Sequence, residues 1–138
     1  MQVSLAIAGA QAVGADQGFD TLVNIEQLFG SNFNDTLTGD ANGNFLGGSL
    51  CDDSLVGGDG ANTLFGGAGN DTLFANQGAN RLLGGDGDDD VTGQGSTDIQ
   101  GNAGADTLRG GDGDDILLGG PGLDVLDGGT GSNVLIQD

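Results

Sequence analysis

Acidic residues recur along this 138-residue chain every 18 residues, shortened once to 17, and this spacing is the first indication of chemistry. One series, called side A here, contains only aspartates: Asp35, Asp53, Asp71, Asp89, Asp106 and Asp124. Residues midway between them form a second series, called side B, which is mostly neutral: Asn44, Asn62, Asn80, Thr97, Asp115 and Asn133. Carboxylates stacked in a row repel one another and offer oxygen ligands to a hard divalent cation.

Both series occupy the sixth position of a nine-residue unit that repeats from Gly30 onward. The clearest unit, residues 66–74, reads GGAGNDTLF. One residue is deleted near Gly93, and the eighth position is apolar in every unit: Leu37, Leu46, Leu55, Leu64, Leu73, Leu82, Val91, Ile99, Leu108, Leu117, Leu126 and Leu135. Twelve units in phase argue against the disorder that an acidic, glycine-rich composition would otherwise predict.

Each unit predicts a turn followed by a short strand. Six residues rich in Gly, Asn and Asp form the turn, because glycine adopts positive φ without a steric cost. The last three residues form a strand whose middle, apolar residue points inward. Successive strands then lie on opposite sides, and every second unit stacks in parallel about 4.8 Å away. The predicted fold is all-β: a parallel β-roll, a right-handed β-helix-like solenoid with 18 residues per coil.

We expect two regions within one domain. Residues 1–29 are predicted to be N-terminal lead-in or capping strands, and residues 30–138 the β-roll of nonapeptides. The apolar stretch 3–13 lacks the basic region that begins a signal peptide, so we interpret it as a short strand.

The side A row should oppose folding when no cation is present. Two unit charges ~4.8 Å apart repel by roughly 1 kcal/mol in water and about 3.5 kcal/mol at an effective dielectric of 20. A core with one apolar residue per unit is thin, against an ordering cost of about 1.5 kcal/mol per residue. Because Ca²⁺ accepts flexible arrangements of carboxylate and carbonyl oxygens better than Mg²⁺ does, we expect calcium to supply the missing stabilisation.

The pattern Gly-Gly-x-Gly-x-Asp-x-apolar-x resembles the hemolysin-type calcium-binding nonapeptide repeat of the RTX (repeats-in-toxin) family over roughly residues 24–136. The resemblance implies that each ion lies between two stacked turns and is bound by sixth-position carboxylates and by carbonyls near positions two and four. The metal ligands expected on this basis are Asp35, Asp53, Asp71, Asp89, Asp106, Asp124 and Asp115, with Gly67, Gly69, Gly85 and Gly87 at the best-formed gap.

Two features of the turns predict where calcium binds. Phe33 and Cys51 replace the usual fourth-position glycine, so the gap between Asp35 and Asp53 departs from the pattern. Side B is mostly neutral, and Asn ladders stack without charge repulsion. We therefore expect several calcium ions mainly along side A, with side B held mainly by Asn ladders and binding calcium weakly if at all.

The resemblance implies a structural module of a secreted protein that uses type I secretion and folds on binding extracellular calcium. The alternative is a carbohydrate-binding, adhesin-like or ice-binding-like surface module on the same β-roll. The absence of Trp and Tyr disfavours glycan binding, and Asp90 interrupts the hydroxyl row (Thr36, Ser54, Thr72, Thr107) that ice binding would use. We do not expect an enzyme, because the chain has no His and its aspartates form no distinct acid/base pair.

Composition also limits the partners. Two basic residues against 21 acidic ones, a net charge of −19, disfavour nucleic acid. No apolar run approaches the ~20 residues that span a bilayer. Outward apolar side chains predict a contact surface for another domain of the parent protein or for self-association. These are Phe45, Phe65, Leu83, Ile116, Leu118, Val134 and Ile136 beside side B, and Val56 and Phe74 beside side A.

Overall fold

A computed structural model describes residues 2–5, 10–12, 19–21 and 25–137. These residues are all-β and include no helix, hence none long and apolar enough to cross a membrane. The strands are β1 (Gln2–Ser4), β2 (Ala10–Ala12), β3 (Phe19–Thr21), β4 (Gln27–Phe29), β5 (Thr36–Thr38), β6 (Phe45–Leu50), β7 (Ser54–Val56), β8 (Thr63–Ala68), β9 (Thr72–Phe74), β10 (Asn80–Asp86), β11 (Asp90–Thr92), β12 (Thr97–Ala103), β13 (Thr107–Arg109), β14 (Ile116–Leu118), β15 (Val125–Asp127) and β16 (Val134–Ile136).

The strands form two seven-stranded parallel sheets, which the chain enters alternately. The first sheet has the order β1-β5-β7-β9-β11-β13-β15, and the second has the order β4-β6-β8-β10-β12-β14-β16. Equivalent residues of successive coils are paired, as Leu37 is with Leu55 and Leu55 with Leu73. The predicted all-β parallel solenoid with roughly 18 residues per coil is therefore confirmed.

A single column of apolar side chains fills the space between the two sheets. The eighth residue of every unit from Leu37 to Leu117 is no more than 1% exposed. The residues on either side of it in each strand face outward, as the predicted alternation requires. Val3 and Leu28 extend the column at one end, whereas Leu135 is 45% exposed at the other. Burial of one Leu stabilises the fold by about 2 kcal/mol, so the column is a thin core.

The eight-residue unit, 93–100, does not disturb the register. Leu82 still pairs with Ile99, and Val91 still pairs with Leu108. The missing residue is therefore taken out of the turn before β12, and the strands on both sides keep their partners.

The N-terminal region is only partly described. The predicted strand at residues 3–13 overlaps β1 and β2, and residues 6–9 and 13 lie outside the described residues. β1 continues the first sheet by pairing with β5, while β2 and β3 form an antiparallel pair. The division into residues 1–29 and 30–138 stays a prediction.

The outer face of the second sheet carries apolar side chains, as predicted. The rings of Phe29, Phe45 and Phe65 form a row with centroids 5.4 Å and 5.3 Å apart. Ile116, Val134 and Ile136, also on this sheet, are exposed by 44–50%. Whether this face contacts a partner stays a prediction.

Candidate metal centre

The side A aspartates are buried, although each lies in a polar turn at the edge of the roll. Their side chains are exposed by 3% at Asp35, 3% at Asp53, 1% at Asp71, 3% at Asp89, 1% at Asp106 and 9% at Asp124. The sixth residue points inward because it lies two positions before the core residue of the strand that follows, and side chains alternate in a strand. These aspartates are therefore not solvated turn residues, and their buried carboxylates need partners.

In five of the six side A aspartates, one carboxylate oxygen has a backbone partner in the neighbouring coil. The N–H of each side A aspartate except Asp124 donates to Oδ1 of the next one along the roll. The N···O distances are 2.8 Å from Asp35 to Asp53, 2.8 Å from Asp53 to Asp71, 2.8 Å from Asp71 to Asp89, 2.9 Å from Asp89 to Asp106 and 3.0 Å from Asp106 to Asp124. These bonds form a continuous ladder that orients the carboxylates identically, even across the shortened unit.

The second oxygen of most of these carboxylates has no donor. Oδ2 is buried and without a hydrogen-bond partner in five side A residues and in one of side B: Asp53, Asp71, Asp89, Asp106, Asp124 and Asp115. A buried acceptor without a donor costs about 1–3 kcal/mol, and more if it is charged. Binding of a cation or a proton would therefore stabilise each of these oxygens.

The first side A turn differs from those that follow. Oδ2 of Asp35 accepts hydrogen bonds from the backbone N–H and, at 3.0 Å, from the hydroxyl of Ser31. Burial acts to raise the pKa of Asp35, but hydrogen bonds that include those from Ser31 lower it below its ordinary value. Oδ2 of Asp35 thus already has donors, unlike Oδ2 of the later side A aspartates.

Burial acts in the opposite direction on the central carboxylates. Desolvation raises the pKa of Asp71 to about 6 and that of Asp89 to about 7, and neighbouring aspartates add to the shift. Desolvation also raises the pKa values of Asp53, Asp106 and Asp115, although backbone hydrogen bonds oppose it. The centre of side A is thus the place where a negative charge is least stable without a cation.

The first glycine of each side A unit shapes the site, which the sequence analysis did not foresee. A Cβ on Gly48, Gly66 or Gly84 would overlap Oδ2 of the aspartate five residues later, and so would one on Gly101 or Gly119. The signal was present in the sequence, because all six side A units begin with Gly whereas one side B unit begins with Ala75. These glycines make room for the carboxylate beside the backbone.

The glycines at positions two and four place carbonyl groups between stacked turns. Gly67, Gly69, Gly85 and Gly87 have φ values of +124°, +135°, +131° and +122°. A Cβ on Gly85 would overlap the carbonyl oxygen of Gly67, and one on Gly87 would overlap that of Gly69. The carbonyls of one turn thus point along the roll toward the next, in the gap that Asp71 and Asp89 share.

The donor set of this gap fits calcium. No group of three or more Asp, Glu, Cys or His side chains converges within the described part of the chain. A cation there would draw on the carboxylates of two stacked turns and on backbone carbonyls, all of them hard oxygen ligands in a flexible arrangement. Calcium prefers such ligands, whereas zinc sites use Cys and His, and this chain has no His.

A parallel solenoid whose turns stack buried carboxylates beside carbonyl oxygens defines the class of calcium-binding β-rolls. The family model for the RTX calcium-binding nonapeptide repeat matches the chain four times, at residues 24–50, 48–82, 65–100 and 100–135. The chain therefore belongs to the RTX calcium-binding nonapeptide repeat family, as the resemblance implied, and is a calcium-binding structural module. Comparison with curated proteins and with solved structures gives no match.

Proposed function

We propose that this chain is a calcium-dependent folding module of a secreted protein, with several Ca²⁺ ions along side A. The observation behind the proposal is the row of five buried Oδ2 atoms without donors, in Asp53, Asp71, Asp89, Asp106 and Asp124. The family supports calcium as the ion, and the row supports its position.

The best-formed gap lies between Asp71 and Asp89. Their carboxylates would bind the ion together with the carbonyls of Gly67, Gly69 and their equivalents one coil later, Gly85 and Gly87. The equivalent gaps on either side use Asp53 and Asp106, and Asp124 ends the row. The gap at Asp35 should be weakest, because Ser31 already donates to that carboxylate.

The same row accounts for calcium-dependent folding. Without a cation, the thin core has to stabilise a row of buried, mutually repelling carboxylates. Calcium bound to the folded roll but not to the unfolded chain contributes its binding free energy to folding. Extracellular modules bind calcium at roughly 10⁻⁴–10⁻³ M, so an unfolded acidic chain could pass a type I secretion channel and fold outside the cell.

Far-ultraviolet circular dichroism during a titration from chelator to about 10 mM Ca²⁺ tests this function, with Mg²⁺ as the control. We expect a cooperative transition from coil to β-structure that calcium produces and magnesium does not. A β spectrum already complete in chelator would contradict calcium-dependent folding.

A second candidate function is binding of a glycan to the outer face, and the row of Phe29, Phe45 and Phe65 favours it. Aromatic rings offer large apolar contact areas at a protein surface. A glycan array probed with the calcium-loaded protein and with Phe45→Ala tests this candidate. Binding that the substitution abolishes would support it, and an array without binding would reject it.

A further inference from the structure

The side B turn at residues 57–62 has the same construction as the side A turns at residues 66–71 and 84–89. Gly58 and Gly60 adopt φ values of +84° and +89°, so positions two and four are again left-handed. The sixth residue is again buried, with Asn62 exposed by 1% and Asn80 by 3%. The main difference between this turn and those of side A is therefore the amide in place of a carboxylate.

The amide oxygen Oδ1 forms the same hydrogen bond as the carboxylate oxygen Oδ1 of side A. Oδ1 of Asn62 accepts a hydrogen bond of 2.9 Å from the N–H of Asn44, and Oδ1 of Asn80 accepts one of 3.0 Å from the N–H of Asn62. This is the same ladder that Asp Oδ1 forms on side A. Because the backbone N–H requires an acceptor, the ladder also determines which end of the amide faces the turn.

The other end of the amide is a donor where the aspartate has an unpartnered oxygen. Nδ2 of Asn62 lies 3.1 Å from the carbonyl oxygen of Gly58, 3.3 Å from that of Asp59 and 3.2 Å from that of Gly60. The NH₂ group carries two hydrogens, so it satisfies two acceptors at a time. These carbonyls belong to positions two, three and four, the part of the turn that contributes carbonyl ligands on side A.

Other side B turns repeat this arrangement. Nδ2 of Asn80 lies 2.7 Å from the carbonyl oxygen of Asn76, and Nδ2 of Asn133 lies 2.8 Å from that of Gly128. The hydroxyl of Thr97 does the same in the shortened unit, at 2.9 Å from the carbonyl oxygen of Gly95.

Two side B turns do not follow the arrangement. Oδ1 of Asn44 accepts from the N–H of Asp40 at 2.7 Å, and its Nδ2 has no partner in the described structure. Asp115 has the unpartnered Oδ2 of a side A residue.

We propose that the asparagine amide is a built-in substitute for the cation. The Nδ2–H₂ group of Asn62, Asn80 and Asn133 supplies the positive partner that the turn carbonyls need, so these turns bind no calcium and hold their shape without it. Asp115 is the described side B turn that requires an ion. This inference rests on the proposed function, because it assumes that the side A turns bind calcium.

Exchanging the side chains between the two sides tests the proposal. In the double variant Asn62→Asp/Asn80→Asp, two stacked turns of side B acquire unpartnered carboxylates. We expect native mass spectrometry to show one more bound Ca²⁺ per molecule than in the wild type. We also expect circular dichroism to show a lower folded fraction in chelator.

The reverse exchange, Asp71→Asn/Asp89→Asn, keeps the test decisive if the first variant does not fold. It should bind fewer calcium ions than the wild type and yet show a higher folded fraction in chelator, because the amides replace the missing ions. The matched control Asp71→Ala/Asp89→Ala should lose the same ions without this gain, since alanine provides neither the acceptor nor the donor.

Two results would overturn the proposal while leaving the proposed function intact. One is an unchanged number of ions in a folded Asn62→Asp/Asn80→Asp variant. The other is an Asp71→Asn/Asp89→Asn variant that behaves in chelator like its alanine control. A wild-type protein that bound no calcium would instead refute both the proposed function and this inference.

Discussion

Similar turns on the two sides of the roll differ in the charge of their buried sixth residue. On side A the sixth residue is a buried carboxylate whose Oδ2 lacks a donor, as in Asp71 and Asp89. On side B the corresponding amide of Asn62 bonds to the carbonyls of its own turn. We infer from this comparison that one atom per turn, oxygen or nitrogen, determines whether a turn needs a cation. Calcium dependence should therefore follow the identity of the sixth residue and not the turn conformation.

The largest expected difference is between alanine variants of the sixth residue on the two sides. In calcium, Asp89→Ala should lower the free energy of unfolding by about 3–5 kcal/mol, because the ion's other ligands lose their partner. In chelator the same substitution should have little net effect, because removal of a buried charge offsets the loss of the acceptor for the Asp71 N–H. Asn62→Ala should cost about 1–3 kcal/mol in both conditions, since it leaves buried backbone groups unpaired.

Urea unfolding in calcium and in chelator measures these effects, provided that the protein remains folded in chelator at low urea. If it does not, the calcium concentration at the folding midpoint replaces the urea midpoint. An Asp89→Ala effect of equal size in both conditions would show that the carboxylate has no role in binding calcium.

The first glycine of the unit offers a second, smaller contrast. In Gly84→Ala the new Cβ would overlap Oδ2 of Asp89, whereas in Gly57→Ala it would lie 3.0 Å from Cγ of Asn62. Overpacking of this kind costs typically about 1–3 kcal/mol, so we expect a loss in that range for Gly84→Ala and a smaller one for Gly57→Ala.

Calcium affinity separates the two glycine variants further. Gly84→Ala should weaken calcium binding in isothermal titration calorimetry, because it displaces a ligand carboxylate, and Gly57→Ala should not. Equal affinities in the two variants would indicate that the first position serves only packing.

The raised pKa values on side A predict a pH dependence that side B should lack. Without calcium, the folded protein takes up protons at Asp89 and Asp71, with pKa values of about 7 and about 6, while the unfolded chain titrates near the ordinary value of 3.8. Below 3.8 the full stabilisation is present, and it is lost as the pH rises through 6 and 7. Urea midpoints in chelator should therefore fall as the pH rises from about 4 to about 7.

The variant Asp71→Asn/Asp89→Asn is the control, because its amides do not titrate, and its pH dependence should be flatter. With calcium present the sign reverses, since protons compete with the ion and calcium affinity falls on acidification. A midpoint in chelator that rose with pH would contradict the burial of these carboxylates.

Periodicity was sufficient to predict the coil, the core column from Leu37 to Leu117 and the row of side A aspartates, because a repeat determines which residues stack. It did not predict how side chains point within an irregular turn. The space that Gly66 leaves for Asp71 and the bonds from Asn62 to its own turn depend on the path of the turn, which includes left-handed backbone angles at residues such as Gly58 and Gly60. These angles follow from the stacking of turns in three dimensions and not from the identity of one residue.

The smallest predicted effect concerns the turn where side A departs from its glycine pattern. Ser49 and Cys51 adopt φ values of +100° and +68°, which cost a residue with a Cβ roughly 1–2 kcal/mol. Cys51→Gly should relieve this strain but lose about 0.5–1 kcal/mol of backbone entropy, for a net gain of up to about 1.5 kcal/mol. Ser54→Gly is the control in the adjacent strand β7, where only the entropic loss applies and destabilisation of about 0.5–1 kcal/mol is expected. If both substitutions destabilised the protein equally in calcium-saturated urea unfolding, the turn at residues 48–53 would be unstrained, and side A would tolerate non-glycine residues as well as glycine.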